Sequence, residues 1–190
     1  MTGPVLPRGF YARDTVTVSR ELLGNILVHG PAEGIIVETE AYLGGDDLAA
    51  HSAAGITNRT RVIFGPPGHA YVYLSYGMHE CMNIVAGPEG TGGCVLIRAL
   101  EPVAGLDLMR ARRPAAKTDR ELTSGPGKLT KAMAITRAHY GADLTTGDLT
   151  VHSPAHVREI EIEVTPRIGI SKCEDWPLRF LIRGNPFVSR

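Results

Sequence analysis

Two glutamates, Glu38 and Glu40, sit two residues apart inside the run Ile35-Ile36-Val37-Glu38-Thr39-Glu40-Ala41-Tyr42. In a strand, side chains alternate, so Ile36, Glu38, Glu40 and Tyr42 share one face, and Ile35, Val37, Thr39 and Ala41 the other. A carboxylate beside apolar surface can take a proton from water and support a developing oxocarbenium ion. Solvated glutamates on an edge strand have the same spacing, so this segment alone leaves both readings open.

A second group is aromatic. Three of the six tyrosines, Tyr71, Tyr73 and Tyr76, fall within one short run, and Tyr42 is a fourth. A chain reversal near Gly77 places Tyr76 at a hairpin tip, with Tyr71 and Tyr73 on the strand face opposite Val72 and Leu74. Aromatic rings around a base-sized slot stack on flat heterocycles, each contributing about 1–3 kcal/mol. A wedge at a hairpin tip can unstack a base step. Strand tyrosines that merely cover a core would look alike. His51, eleven residues after Glu40, lies in a polar loop. Gly125-Pro126-Gly127-Lys128 fails the P-loop pattern because Leu122 and Leu129 hold its first and last positions. What survives is a glycine-rich helix start suited to one phosphate. The sequence has no HExxH, GxSxG or GxGxxG, and no H-x-E followed by P-C-x-x-C. Metallohydrolase, α/β-hydrolase, dinucleotide-binding and zinc-deaminase readings therefore lose their support. Cys81, Cys94 and Cys173 are scattered, which is neither a disulfide framework nor a zinc site. No metal and no cofactor are expected.

The elements that must position these residues are short. The 190 residues fit one domain, 1–190, with enough chain for a full core. A composition that is 43% hydrophobic and 21% charged, with 22 glycines and 13 prolines, is globular rather than disordered. Residues 14–24 read as a helix capped by Asp14. Residues 25–30 and 34–43 read as strands, and 44–62 as a long loop. Residues 65–87 read as a hairpin, with 90–102 as its partner strand. Stretches 103–113 and 125–136 look helical, and 158–164 and 178–182 are strand candidates. Strands dominate and most connections are too short for crossover helices, which predicts an α+β domain with an antiparallel sheet. No apolar stretch is long enough to span a membrane, and the N-terminus lacks a signal-peptide pattern. The expectation is a cytoplasmic, non-secreted protein that avoids membranes.

Net charge is zero, yet residues 98–137 hold nine Lys/Arg against four acids, leaving +5 there and −5 elsewhere. That asymmetry suits a phosphate-bearing partner, although a solvated helix surface would also carry it.

The blocks VETEAYLGGDDLAAHS, GHAYVYLSYGMHECMNIV, GGCVLIRALEP, DRELTSGPGKL and PLRFLIRGNPFVS, in this order, resemble the alkyladenine type of 3-methyladenine DNA glycosylase. The resemblance runs from the helix near residue 14 almost to the end. It implies one compact domain with a curved, mainly antiparallel sheet, flanking helices and a protruding β-hairpin. It assigns Glu40 as the water-activating acid. Tyr42, His51 and Tyr73 become walls of a base pocket, and Tyr76 the wedge that takes the place of a flipped nucleotide. Asn83 would crowd the amino group of guanine, and Arg98 would support the pocket or the DNA backbone, with Lys128 beside the DNA. The implied activity is monofunctional: flipping an alkylated or deaminated purine out of duplex DNA and hydrolysing its N-glycosidic bond, leaving an abasic site. The expected partner is double-stranded DNA with a damaged purine, bound by a monomer.

Two positions depart from the family pattern. Glu80 stands just beyond the wedge turn where an aromatic is usual, and a carboxylate there would repel phosphate. Ile63 stands where a methionine often precedes Phe64. Two other classes fit parts of the pattern. A lesion-binding protein without turnover would keep pocket and wedge but need no Glu40. A sugar hydrolase working through both Glu38 and Glu40 would have no use for the wedge.

Overall fold

A computed structural model describes residues 2–156 and 159–189. Its strands are β1 (Thr2–Val5), β2 (Ile26–His29), β3 (Ala32–Tyr42), β4 (Ala70–Ser75), β5 (His79–Val85), β6 (Cys94–Ala104), β7 (Leu149–Pro154), β8 (Ile162–Thr165) and β9 (Arg179–Ile182). The helices are α1 (Arg8–Tyr11), α2 (Thr15–Glu21), α3 (Leu106–Arg112), α4 (Asp119–Thr123) and α5 (Pro126–Met133). The strands form one open sheet in the order β1-β7-β2-β3-β6-β5-β4, with β9 joining β3 and β8 joining β9. The strand pairings are antiparallel. This is the α+β single domain that the short connections call for.

Local chemistry accounts for the well-read elements. Asp14 caps α2 by accepting from the Thr17 N–H at 2.9 Å, satisfying a donor that the first turn leaves free. In the β4–β5 reversal, Tyr76 and Gly77 have φ of 49° and 69°, and the Met78 N–H donates to the Ser75 carbonyl at 3.0 Å. Two left-handed residues in succession match the twist of the strands they join. The loop at 44–62 is less irregular than its composition suggests, holding 3₁₀ turns at His51–Ala54 and Arg61–Phe64. Of the tail strand expected at 158–164, residue 158 lies outside the described residues, and β8 begins only at Ile162. β1, β7 and the short helices α1 and α4 carry too few residues for periodicity to reveal them.

α2, α3 and α5 pack with the strands around one core that includes Leu22, Leu27, Ile36, Met82, Ile97, Leu100, Met109 and Leu129. A smaller cluster of Ile63, Tyr71 and Cys94, with Tyr42, Phe64 and Tyr73 against it, gathers beneath the 44–62 loop. Ile63, the departure noted above, is a filler of this second cluster, 1% exposed.

Strict alternation fails in the middle of the β3–β6 pair, and the failure matters. Ile36 pairs with Leu100 and Glu38 with Ala99, so β3 bulges at Val37. Glu38 pairs with Ala99 but Thr39 with Ile97, so β6 bulges at Arg98. Ile36 therefore belongs to the main core, not to the face of Glu38 and Glu40. Adjacent bulges on two paired strands cancel in register while re-aiming the side chains between them.

Candidate active site

The register lays a row of residues across four strands. Glu40 on β3 pairs with Leu96 on β6, Leu96 with Asn83 on β5, and Asn83 with Tyr71 on β4. Neighbouring strands lie about 4.8 Å apart, so the row spans roughly 14 Å of one sheet face. Over this face opens a cleft of about 980 Å³, whose walls include Tyr42, His51, Tyr73, Asn83 and Arg98, with Tyr76 at its rim.

Glu40 lies directly behind the wall and is fully buried. Its Oε2 accepts from the Tyr42 hydroxyl at 3.0 Å and from Arg98 Nη1 at 3.2 Å, and its Oε1 from the Ile168 N–H at 2.9 Å. An ionised carboxylate offers about four acceptor positions, so one remains. Glu38 is equally buried but saturated. It accepts from Arg98 Nε at 3.1 Å, Arg179 Nε at 2.7 Å, and the Ser189 N–H and hydroxyl at 2.6 and 2.9 Å. The two bulges thus aim Arg98 between both carboxylates. Arg98 lines the cleft while pairing with both carboxylates, and Glu38 pins the C-terminal segment through Ser189.

The aromatic wall is ordered by its own contacts. Tyr71 and Tyr73 stack with centroids 5.4 Å apart, and His51 meets Tyr73 edge-on at 4.5 Å. His51 Nδ1 lies 2.8 Å from the Tyr71 hydroxyl oxygen. Burial, reinforced by the nearby Arg59 charge, brings the His51 imidazole down to about 4, so it is neutral at physiological pH. Burial pushes the Tyr71 phenol up to about 12 and also raises Tyr42 and Tyr73, keeping all three as neutral rings. Asn83, 3% exposed, donates to the Tyr71 carbonyl at 3.3 Å, which fixes its amide at the cleft floor.

Other sequence-predicted residues end elsewhere. Lys128 is exposed on α5 and is not part of the cleft wall. The basic stretch is largely consumed by internal bonds: Arg98 by the two glutamates, Arg110 by Asp107 and Asp119, and Arg137 by Glu80. Arg112 and Arg120 donate to the carbonyls of Ala132 and Val188. Lys117, Lys128 and Lys131 remain as exposed cations. Sequence reasoning missed Arg59, which lies 5.1 Å from the Tyr73 centroid, and the 168–172 segment that closes one side of the cleft. Neither had a local signal. Tyr71 did, since alternation places it on the face of Tyr73.

Glu80 does not project freely toward the surface beyond the turn. Its Oε1 accepts from Arg137 Nε at 3.1 Å, and its backbone carbonyl accepts from the Thr130 hydroxyl of α5 at 2.8 Å. Glu80→Gln removes one negative charge and releases Arg137, so binding to duplex DNA is expected to tighten about two- to fivefold at low salt. Lesion preference should not move, because neither residue lines the cleft. Titration of undamaged and lesion duplexes at two salt concentrations checks this; unchanged affinity at low salt would show that the pair points away from the DNA.

An aromatic slot with a buried carboxylate behind one wall and an exposed tyrosine at its rim has the shape and chemistry to stack a flat heterocycle beside a carboxylate. The comparisons identify the class. Residues 9–186 match the model of the methylpurine-DNA glycosylase family. A protein of Methanoculleus marisnigri is 55% identical over 97% of this chain and 98% of its own length. Relatives from Koribacter versatilis and Methanocella arvoryzae are 48% and 49% identical, over 97% and 98% of this chain and 92% and 96% of their own. All three are provisionally named 3-methyladenine DNA glycosylase. The chain belongs to the methylpurine-DNA glycosylase family and is a DNA glycosylase, a hydrolase of N-glycosyl bonds. Among the described residues, no helix is long and apolar enough to cross a membrane, and no group of three His, Cys, Asp or Glu could hold a metal ion.

Proposed function

We propose that this protein, acting as a monomer, excises alkylated purines, 3-methyladenine foremost, from double-stranded DNA and leaves an abasic site. Deaminated purines are the second substrate class. The observation that carries the reading is the placement of Glu40, with one acceptor position to spare, immediately behind the Tyr42 and Arg98 wall of an aromatic cleft.

A purine stacked in a duplex presents no approach to its glycosidic bond, so the nucleotide must rotate out, at a cost of a few kcal/mol. Tyr76 fills the gap left in the stack, and the rings of Tyr42, Tyr73 and His51 receive the base. Alkylation of a ring nitrogen makes the purine cationic, and electron-rich phenol faces prefer a cation to a neutral base. The cationic purine is already a good leaving group. The remaining task is to activate one water and stabilise positive charge on the sugar. Glu40 does both: its free acceptor position takes the water's proton, and its charge favours the oxocarbenium ion. Arg98 and the Ile168 amide hold the carboxylate in orientation throughout. Lys172, the lysine of the cleft lining, is exposed and lies outside the motifs that carry the aromatic rings, so the reading is hydrolysis without a Schiff base. The two-carboxylate sugar-hydrolase reading loses its second acid, since Glu38 is saturated by two arginines and Ser189.

The test is incubation with duplexes that each carry one defined lesion, scored for abasic sites by alkaline cleavage. Free base released from 3-methyladenine duplexes supports the reading; lesion binding without release identifies a binder.

Asn83 sets selectivity in this scheme by crowding the guanine amino group. Asn83→Ala or Asn83→Ser is expected to raise kcat/KM for guanine lesions relative to adenine lesions by about tenfold, a typical value for relieving a steric block. An unchanged ratio would remove Asn83 from the selectivity argument.

A further inference from the structure

Asp47 and Arg167 form an ion pair with no solvent exposure of either side chain. The pairing is two-pronged, Arg167 Nη1 to Asp47 Oδ2 at 2.6 Å and Nη2 to Oδ1 at 2.8 Å. From this locked position Arg167 reaches the active site twice. Nη1 also donates to the Ala41 carbonyl at 3.1 Å, between Glu40 and Tyr42, and the guanidinium lies 4.7 Å from the Tyr42 ring centroid. The next residue, Ile168, gives its N–H to Glu40 Oε1. Asp47 in turn accepts from the Leu43 and Ala49 amides at 3.0 and 3.2 Å, setting the chain that leads from Tyr42 to His51.

We propose that Asp47 and Arg167 are the positioning pair of the active site, fixing the Tyr42 ring and the Ile168 amide on Glu40 so that the chemical step depends on them. The proposal rests on the excision reading above. A buried ion pair is seldom more stabilising than apolar side chains of the same volume, so its presence calls for a reason other than stability. Orientation is such a reason. A planar guanidinium fork held by a carboxylate has one arrangement, whereas apolar packing tolerates small shifts. A displacement of about 1 Å in a reacting group can cost about a hundredfold in rate. Two of the three hydrogen bonds to Glu40, from Tyr42 and from Ile168, come from residues that Arg167 touches or adjoins. The hydrogen bonds from Arg167 and from the two amides outweigh the effect of burial and hold the Asp47 carboxyl below its usual range, so the pair stays charged at every working pH.

The test compares Arg167→Lys, which keeps the charge but loses the fork, with Asp47→Asn, which keeps the shape but loses the charge. Three quantities are read: single-turnover excision of 3-methyladenine at saturating enzyme, lesion-duplex affinity, and melting temperature. The expected result is a single-turnover rate constant lowered about 30- to 100-fold in at least one variant. Affinity should fall by less than the rate, staying within about tenfold, because Tyr73 and Tyr76 make no contact with the pair. A purely structural role would lower the melting temperature and the folded fraction, yet leave the rate constant of the folded molecules unchanged. Asp47→Asn carries the test if Arg167→Lys does not fold. Wild-type rate constants in the folded variants, or losses of affinity as large as the losses of rate, would overturn the proposal. A wild-type protein that releases no base would overturn the functional reading instead.

Discussion

Glu40→Gln is expected to lower single-turnover base release at least about a hundredfold, the lower end of a general-base contribution, while lesion-duplex affinity stays within about tenfold. Glutamine keeps the length and an oxygen acceptor but can neither take the water's proton nor balance charge on the sugar. In the proposed mechanism, extrusion and stacking depend on Tyr42, Tyr73, His51 and Tyr76, none of which is removed. Glu38→Gln makes the informative contrast. Glu38 has no exposure and binds Arg98, Arg179 and Ser189, so neutralising it leaves two guanidiniums with less compensation. The expected loss is up to about 3 kcal/mol of stability, discounted because Arg98 keeps Glu40 and Arg179 keeps Thr165. Folded Glu38→Gln should excise within about tenfold of wild type. The measurement is single-turnover excision beside equilibrium binding and thermal melting for both variants. Wild-type excision by Glu40→Gln, or a folded but inactive Glu38→Gln, would exchange the roles assigned here.

The second large effect is expected for Tyr76→Ala: excision from fully paired lesion duplexes falls about 10- to 100-fold, and a bulge or mismatch at the lesion restores most of it. The residue is 84% exposed, so its side chain contributes almost nothing to the stability of the fold, and a tyrosine there is costly on two counts. It leaves a large ring in water, and it holds a non-glycine residue at a φ of 49°. Met78 beside it is 73% exposed, which gives the tip an apolar edge. Such a surface is repaid when it enters a base stack. A bulged lesion has already lost much of its stacking, so the wedge has less to replace. Comparing kcat/KM on paired and bulged substrates decides the matter; equal losses on both would assign Tyr76 to general DNA contact.

Much of the site was legible from period and turn chemistry alone. Alternation places Glu40 with Tyr42, and Tyr71 with Tyr73, because neighbouring strand residues point to opposite faces. Gly77 after Tyr76 announces the reversal that exposes this tyrosine, and Asp14 announces the start of α2. These are local effects, decided by residues within a few positions of each other. The family match over residues 9–186 agrees with the blocks that carried the resemblance.

The tertiary structure alone decided which carboxylate stays unsaturated and what the cations do. Alternation makes Glu38 and Glu40 equivalent. Paired bulges at Val37 and Arg98 bring one arginine between them, and a tail more than a hundred residues away saturates Glu38. The basic stretch suggested a phosphate-binding face, yet five of its six arginines bond within the protein, leaving the half-buried Arg113 and three exposed lysines. Asp47 and Arg167, 120 residues apart, meet only because the sheet brings their loops together. The physical reason is common to all three. A side chain's direction follows from its neighbours in sequence, but whether its hydrogen-bonding capacity is filled depends on strand register and loop closure, which bring distant groups within 3 Å or keep them apart.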